Sequence, residues 1–285
     1  MTTRRDFLRA TAAFTAVTMV MPMVACGDSK KIIGLQLYTV RDKLNVDKEG
    51  TLQKLAEIGY NSLEAAGYNM DKRTFYDMEP KAFANHLKSL GMTLNSSHTA
   101  FELDRAEMVC EDAAKADLKY IIYPYLADNF RTNLDDYKAT AEKFNKIGEI
   151  AQKHGLQFGY HNHAFEFEKM DGQIPYDVLL TETDADLVTF EMDLYWVTRG
   201  GYDPVEYFKK YPGRFQLWHV KDMVTSDDQF FAPVGQGRID FERIFAEKDT
   251  AGMKYFFVEQ DGFRELDPFE SIEISYKYLN DAKFV

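Results

Sequence analysis

Two histidines two residues apart, His161 and His163, close the stretch Phe158-Gly-Tyr-His-Asn-His163. In an extended chain both point to the same face. Three later apolar runs also end on a side chain able to bind a metal: Val188-Thr-Phe-Glu-Met-Asp193, Phe215-Gln-Leu-Trp-His219 and Tyr255-Phe-Phe-Val-Glu259. A strand that is apolar throughout and then ends on an imidazole or carboxylate has a reason other than packing. Four such ends, His161, Asp193, His219 and Glu259, predict one divalent metal site. Mixed nitrogen and oxygen ligands suit Mn²⁺, Zn²⁺, Co²⁺ or Fe²⁺ better than Ca²⁺.

These ends need a scaffold that brings them together. From Lys31 the chain alternates short apolar runs with longer amphipathic ones, about 25–35 residues apart, as repeated βα units do. Eight strands are expected: Lys31–Tyr38, Ser62–Ala66, Thr93–His98, Tyr120–Pro124, then those ending at His161, Asp193, His219 and Glu259. Helices are expected at Lys48–Ile58, Pro80–Leu90, Asp104–Ala116, Leu134–His154, Asp203–Lys210, Phe241–Lys248 and Pro268–Ala282. Eight such units predict a (β/α)8 TIM barrel over residues 31–285, an α/β fold of about 250 residues. A doubly wound open sheet is the alternative, but the first strand runs into Tyr38-Thr-Val-Arg-Asp42 rather than a glycine-rich nucleotide turn.

In such a barrel, chemistry gathers at the C-terminal ends of the strands. Tyr38, Glu64, His98 and Tyr123 join the candidates there as substrate contacts. Period-two alternation places Lys221 on the face of His219 and Asp261 on the face of Glu259, and gives Glu191 and Asp193 a common face. Lys221 is a candidate for neutralising a developing enolate. Trp196, just past Asp193, is a candidate wall for a substrate site. Val234-Gly-Gln-Gly-Arg-Ile-Asp-Phe241 could bind an anion through backbone N–H groups with Arg238 reaching the mouth, or simply start a helix with Asp240 as its cap. Glu166 and Glu168 read as solvated loop charges that could also supply a base.

The motifs Gly-Leu-Gln-Leu-Tyr38, Tyr-His-Asn-His163, Met-Asp-Leu-Tyr-Trp196, His-Val-Lys-Asp222, the glycine-rich turn and Val-Glu-Gln-Asp261, in this order, resemble the xylose-isomerase-like sugar phosphate isomerase/epimerase superfamily. The resemblance spans residues 31–285. It implies one metal held by strands five to eight, with Asp193, His219 and Glu259 matching three family ligands and His161 standing where a glutamate is usual. That departure removes one of the two opposed glutamates with which the family's epimerases work.

The implied reaction is isomerisation or epimerisation of a free or oxidised carbohydrate through an enediolate. Glu259 is the first candidate base, and His163 or Lys221 completes proton transfer. Dehydration of a keto sugar is the alternative outcome, and a sugar-binding lipoprotein without turnover is a rival of another class.

The formal charge is −12, and residues 1–30 carry four basic and two acidic side chains, leaving −14 for the remainder. Such a balance argues against nucleic acid as a partner and against the abasic-DNA endonuclease branch of the superfamily. Small carbohydrates are the expected partners, and a homo-oligomer is left open. Arg4-Arg5 followed by an apolar run to Ala25 resembles a twin-arginine export signal, and Met23-Val-Ala-Cys26 a lipoprotein processing site. Residues 1–30 are therefore expected to be signal and tether. Cys26 would be lipidated, the lipid would be the only membrane contact, and the protein would be periplasmic. Cys110, the other cysteine, is expected to be a small core residue.

Overall fold

In the computed structural model, which describes residues 31–285, eight parallel strands close into a barrel in chain order. They are β1 (Gly34–Gln36), β2 (Ser62–Ala65), β3 (Thr93–His98), β4 (Tyr120–Tyr123), β5 (Gln157–His161), β6 (Val188–Asp193), β7 (Leu217–Val220) and β8 (Tyr255–Val258). β1 pairs with both β2 and β8, which closes the ring. The expected TIM barrel is therefore the observed fold. Arg4, Arg5 and Cys26 lie outside the described residues.

Helices cover the strands, and their ends follow local chemistry. Proline occupies the first turn of Pro80–Ser89, Pro175–Glu182, Pro204–Lys210 and Pro268–Asp281, where its missing N–H goes unused. Asn133 and Asp136 form a capping box on the longest helix, Leu134–Lys153. Phe144 from that helix meets Tyr123, Phe158 and Tyr160 at 5.2–5.4 Å between ring centroids. Cys110 is buried in Ala106–Lys115, and burial pushes its thiol up to about 12.

Several elements depart from expectation. β1 ends at Gln36 because the Gln36 side chain accepts the Tyr38 N–H at 3.0 Å and starts a tight turn, Leu37–Val40. That leaves Tyr38 on the rim. Helix Pro175–Glu182 lies between β5 and β6, and Leu194–Arg199 starts directly on β6, with Asp193 capping it through the Trp196 N–H at 2.9 Å.

The barrel floor is a separate cluster of Tyr120, Ile122, Leu217 and Phe257. Two glycines make room for it. A Cβ on Gly34 would lie 2.5 Å from the Phe257 ring, and one on Gly159 2.7 Å from Ile122 Cδ1. Since Leu217 and Phe257 point inward, alternation sends His219 and Glu259 inward one layer higher.

Candidate metal centre and active site

The four predicted ligand residues meet above this floor, and all four are buried. His161, Asp193 and Glu259 lie at or one residue past the ends of β5, β6 and β8, and β7 contributes His219. Register brings Asp193 opposite His219. Asn162 fixes the β5–β6 edge, because its Oδ1 accepts the Asp193 N–H at 3.1 Å and the Tyr176 hydroxyl at 3.3 Å.

The candidate ligand atoms of the four residues face one another. His161 Nδ1 lies 3.2 Å from the Pro124 carbonyl, which can only accept, so Nδ1 carries the proton and Nε2 a lone pair. That lone pair lies 3.1 Å from Asp193 Oδ2. His219 Nε2 lies 2.6 Å from Glu64 Oε2, leaving Nδ1 toward Glu259 Oε2 at 2.7 Å. Both atoms are buried, and the Lys221 ammonium lies 2.7 Å from the same Glu259 oxygen. Two imidazole nitrogens and two carboxylate oxygens, all buried and within 4.8 Å of one another, fit a divalent cation, and the N₂O₂ donor set suits a transition metal.

Charge leads to the same fit. Lys221 is buried at 2.9 Å from Asp193, 2.7 Å from Glu259 and 2.9 Å from Asp261. Burial opposes its charge, but these carboxylates hold its pKa well above the usual lysine value. Burial opposes the charge of Glu259 too, and Lys221 and His219 hold it ionised, well below the usual range. Burial raises Asp261 to about 6.

Below the ligands lies a second layer that the strand-end argument did not assign. Glu64 accepts from His219, from Gln36 Nε2 at 2.8 Å and from Ser96 Oγ at 2.5 Å. A register shift between Leu63 and Glu64 turns it to this position. Burial would raise its carboxyl, but His98 and His219 bring it down to about 2. Glu191 lies 2.6 Å from His98 Nε2 and 3.2 Å from His219 Nε2, and burial beside Glu64 raises it to about 7. Glu64 is thus not a substrate contact, since it is fully buried; it sets which His219 nitrogen faces the metal site. Proximity alone also groups His98, His161, Glu191 and His219. The facing nitrogens of His98 and His219 are already committed to Glu191 and Glu64.

A cavity of about 550 Å³ opens above the ligands. Of the predicted contacts, Tyr38, His98, His163 and Lys221 line it, together with His161, Glu259 and Asp261. His163 presents an unpartnered Nδ1, and burial, reinforced by His161 and Lys221, holds its imidazole neutral, well below the usual histidine pKa. Trp196 is not among the lining residues. It packs 5.4 Å from the His163 ring and 5.6 Å from the Lys221 ammonium, supporting both from behind.

Two predicted contacts lie elsewhere. Tyr123 alternates outward from the floor residue Ile122 and packs on Phe144, with 4% of its surface exposed. Arg238 donates to the Met223 sulfur, and its own N–H bonds the Met223 carbonyl at 2.8 Å. The glycine-rich turn does not offer an anion site. Asp222 takes the N–H groups of Gly235 at 3.0 Å, Gly237 at 2.8 Å and Ile239 at 3.1 Å, while Asp240 caps the next helix through the Arg243 N–H.

Glu166 is not solvated but fully buried, accepting from the Tyr160 hydroxyl and from the His163 N–H at 2.9 Å. It fixes the backbone that carries His163. Burial raises its carboxyl from 4.5 to about 7. A raised carboxyl keeps its proton in the folded state after the unfolded chain has lost it, so stability falls as pH rises between those values and levels off above them. Glu166→Gln removes that dependence. Relative to the variant, the wild type should lose roughly 3 kcal/mol between pH 5 and 8. Urea denaturation at both pH values measures this, and parallel profiles would refute it.

Comparison with known proteins places these features in context. The profile of the xylose isomerase-like TIM barrel family matches residues 52–281. A sugar phosphate isomerase/epimerase from Parabacteroides distasonis superposes with a TM-score of 0.82 at 31% identity, covering 92% of this chain and 98% of that one. An inosose dehydratase of Clostridium beijerinckii is 28% identical over 178 residues, 55% of this chain and 58% of that protein. The chain thus spans little more than half the length of this curated relative. The IOLI protein with a bound zinc atom shares the fold, with a TM-score of 0.68 at 16% identity over 88% of this chain and 97% of that one.

Proposed function

The chain belongs to the xylose isomerase-like TIM barrel family, and from that premise we propose a divalent-metal-dependent enzyme acting on a polyhydroxylated keto compound. It removes the proton from the carbon beside the carbonyl and then expels a β-hydroxyl, as a dehydratase does. The observation that carries this reading is the buried set of His161, Asp193, His219 and Glu259, whose facing ligand atoms lie at the base of the cavity. A bound divalent cation supplies Lewis-acid polarisation of a carbonyl.

The chain's own residues provide one base and one acid. His163 is neutral and lines the cavity, so its imidazole can accept the carbon proton. Glu259 is the weaker base, because Lys221 and His219 stabilise its ionised form. Lys221, kept as an ammonium, stabilises the enolate oxygen and gives a proton to the departing hydroxyl. The C–H pair becomes the new C=C bond, the C–O bond breaks, and water leaves. His163 then returns its proton through solvent to Lys221.

The similarity to inosose dehydratase favours this outcome over simple reprotonation. Isomerisation is the second reading, favoured by the 31% identity to the Parabacteroides protein over nearly its whole length. An export signal in residues 1–26 would place either reaction outside the cytoplasm; signal-processing of the full chain in a bacterial host tests that. The reaction itself is tested in D₂O. His163→Gln should keep its metal and lose exchange of the substrate α-proton by about a hundredfold or more. Glu259→Gln should lose metal as well. Full exchange in His163→Gln would remove His163 as the base.

A further inference from the structure

We infer that the cavity takes an uncharged glycoside, with one sugar ring inside it and a second ring or an aglycone against Tyr38 and Tyr125. This rests on the reading above that the cavity is the substrate site, and it concerns what is bound rather than which bond changes.

No lysine or arginine side chain around the cavity is left free to hold a phosphate. Lys221 is the only lysine or arginine among the lining residues, and the three carboxylates within 2.9 Å outweigh its single charge. His98, the other cationic candidate, is paired with Glu191. Barrels that bind phosphorylated substrates commonly use the loop after the seventh strand. Here that loop's N–H groups at Gly235, Gly237 and Ile239 are taken by Asp222, an anion from the chain itself. A Cβ on Gly237 would lie 2.2 Å from Asp222 Oδ1, so the turn is fitted to that carboxylate.

The arginines nearest the rim are engaged too. Arg41 donates to the carbonyls of Tyr38 at 2.8 Å and Asp261 at 3.0 Å. Arg131 pairs with Asp128 and donates to the Tyr125 hydroxyl at 3.0 Å. A phosphate would meet Asp261 without a free lysine or arginine to offset it.

The rim is built for an apolar ring face instead. Among the described residues, Tyr38 and Tyr125 are the only aromatic side chains in the set of exposed large hydrophobics, at 44% and 43%, and both line this cavity. Their positions are fixed. The Arg41 guanidinium lies 4.1 Å from the Tyr38 ring centroid, and Tyr125 stands edge-on to His163 at 5.0 Å and to Phe165 at 5.3 Å. Rigid aromatics of this kind offer a large contact area at little entropic cost. The volume of about 550 Å³ falls in the range of sites for drug-sized ligands.

Equilibrium binding to the metal-loaded protein tests this with three probes: methyl β-D-glucoside, its 6-phosphate and phenyl β-D-glucoside. Calorimetry should show the phosphate binding about tenfold more weakly than the methyl glucoside and the phenyl glucoside about tenfold more tightly. Tyr38→Ala and Tyr125→Ala should each remove most of the phenyl advantage, read as the ratio of phenyl to methyl glucoside affinity within each variant. Equal or tighter binding of the 6-phosphate, no gain from the phenyl group, or no binding of any probe would each overturn the inference. Those results leave the D₂O exchange of the previous subsection intact, so failure of the substrate class and failure of the reaction are separable.

Discussion

Asp193→Asn protein, dialysed against a divalent cation, should retain less than about a tenth of the metal bound by the wild type, and its turnover should fall by about a thousandfold or more. The substitution is nearly isosteric, and asparagine Oδ1 can still cap helix Leu194–Arg199 through the Trp196 N–H. What changes is the atom now at Oδ2. That oxygen lies 3.1 Å from the His161 Nε2 lone pair and 2.9 Å from the Lys221 ammonium. An amide NH₂ there donates to His161, consuming a second ligand, and meets Lys221 donor to donor. One substitution therefore disables two ligands without emptying any volume. Atomic absorption of the dialysed protein, with circular dichroism as a control for folding, checks the outcome. A variant with full metal content would show that the four side chains are only a polar cluster.

How much of this was legible depends on parity and on partners. Alternation within a strand is a strict rule, so His219 with Lys221, and Glu259 with Asp261, could be assigned to one face from sequence. Tyr123 obeys the same rule in the other direction: once Ile122 is known to plug the floor, Tyr123 must face the helices. The sequence does not say which residue of Tyr120–Tyr123 points inward, because all four are apolar or aromatic. Glu64 was misplaced for a different reason. Its strand end was correct, but a register shift and three hydrogen-bond partners from β1, β3 and β7 turn it beneath the ligands. Contacts among strands so far apart in sequence leave no local pattern.

Glu166 misled through composition, and the place of Asp222 was not read at all. A carboxylate in a loop reads as solvated unless the groups that bury it are known, here Tyr160 and the His163 N–H in one case and a glycine-rich turn in the other. A signal was present for Asp222. Glycines at 235 and 237 offer a concentration of accessible N–H groups, and the question left open was whether their anion came from a ligand or from the chain.

Lys221→Met should separate the metal's electrostatic role from its chemical one. In the metal-free wild type, Lys221 is the lysine compensating Asp193, Glu259 and Asp261, and it is buried with them. Methionine fills a similar volume and removes the charge, leaving carboxylates buried without their partner. Breaking a buried pair in this way costs about 3–5 kcal/mol. Metal-free Lys221→Met should therefore melt roughly 10 °C below the metal-free wild type. Added Mn²⁺ or Zn²⁺ should recover more in the variant than in the wild type, because a cation held by Asp193 and Glu259 supplies the missing positive charge. Turnover should stay low even at full metal occupancy, since the proton donor and enolate partner are gone. Differential scanning calorimetry with and without metal reads the first effect, and steady-state rates at saturating metal read the second. Equal metal-induced stabilisation in both proteins would mean that Lys221 and the cation do not share these carboxylates. A fully active metal-loaded variant would leave Lys221 a structural role alone.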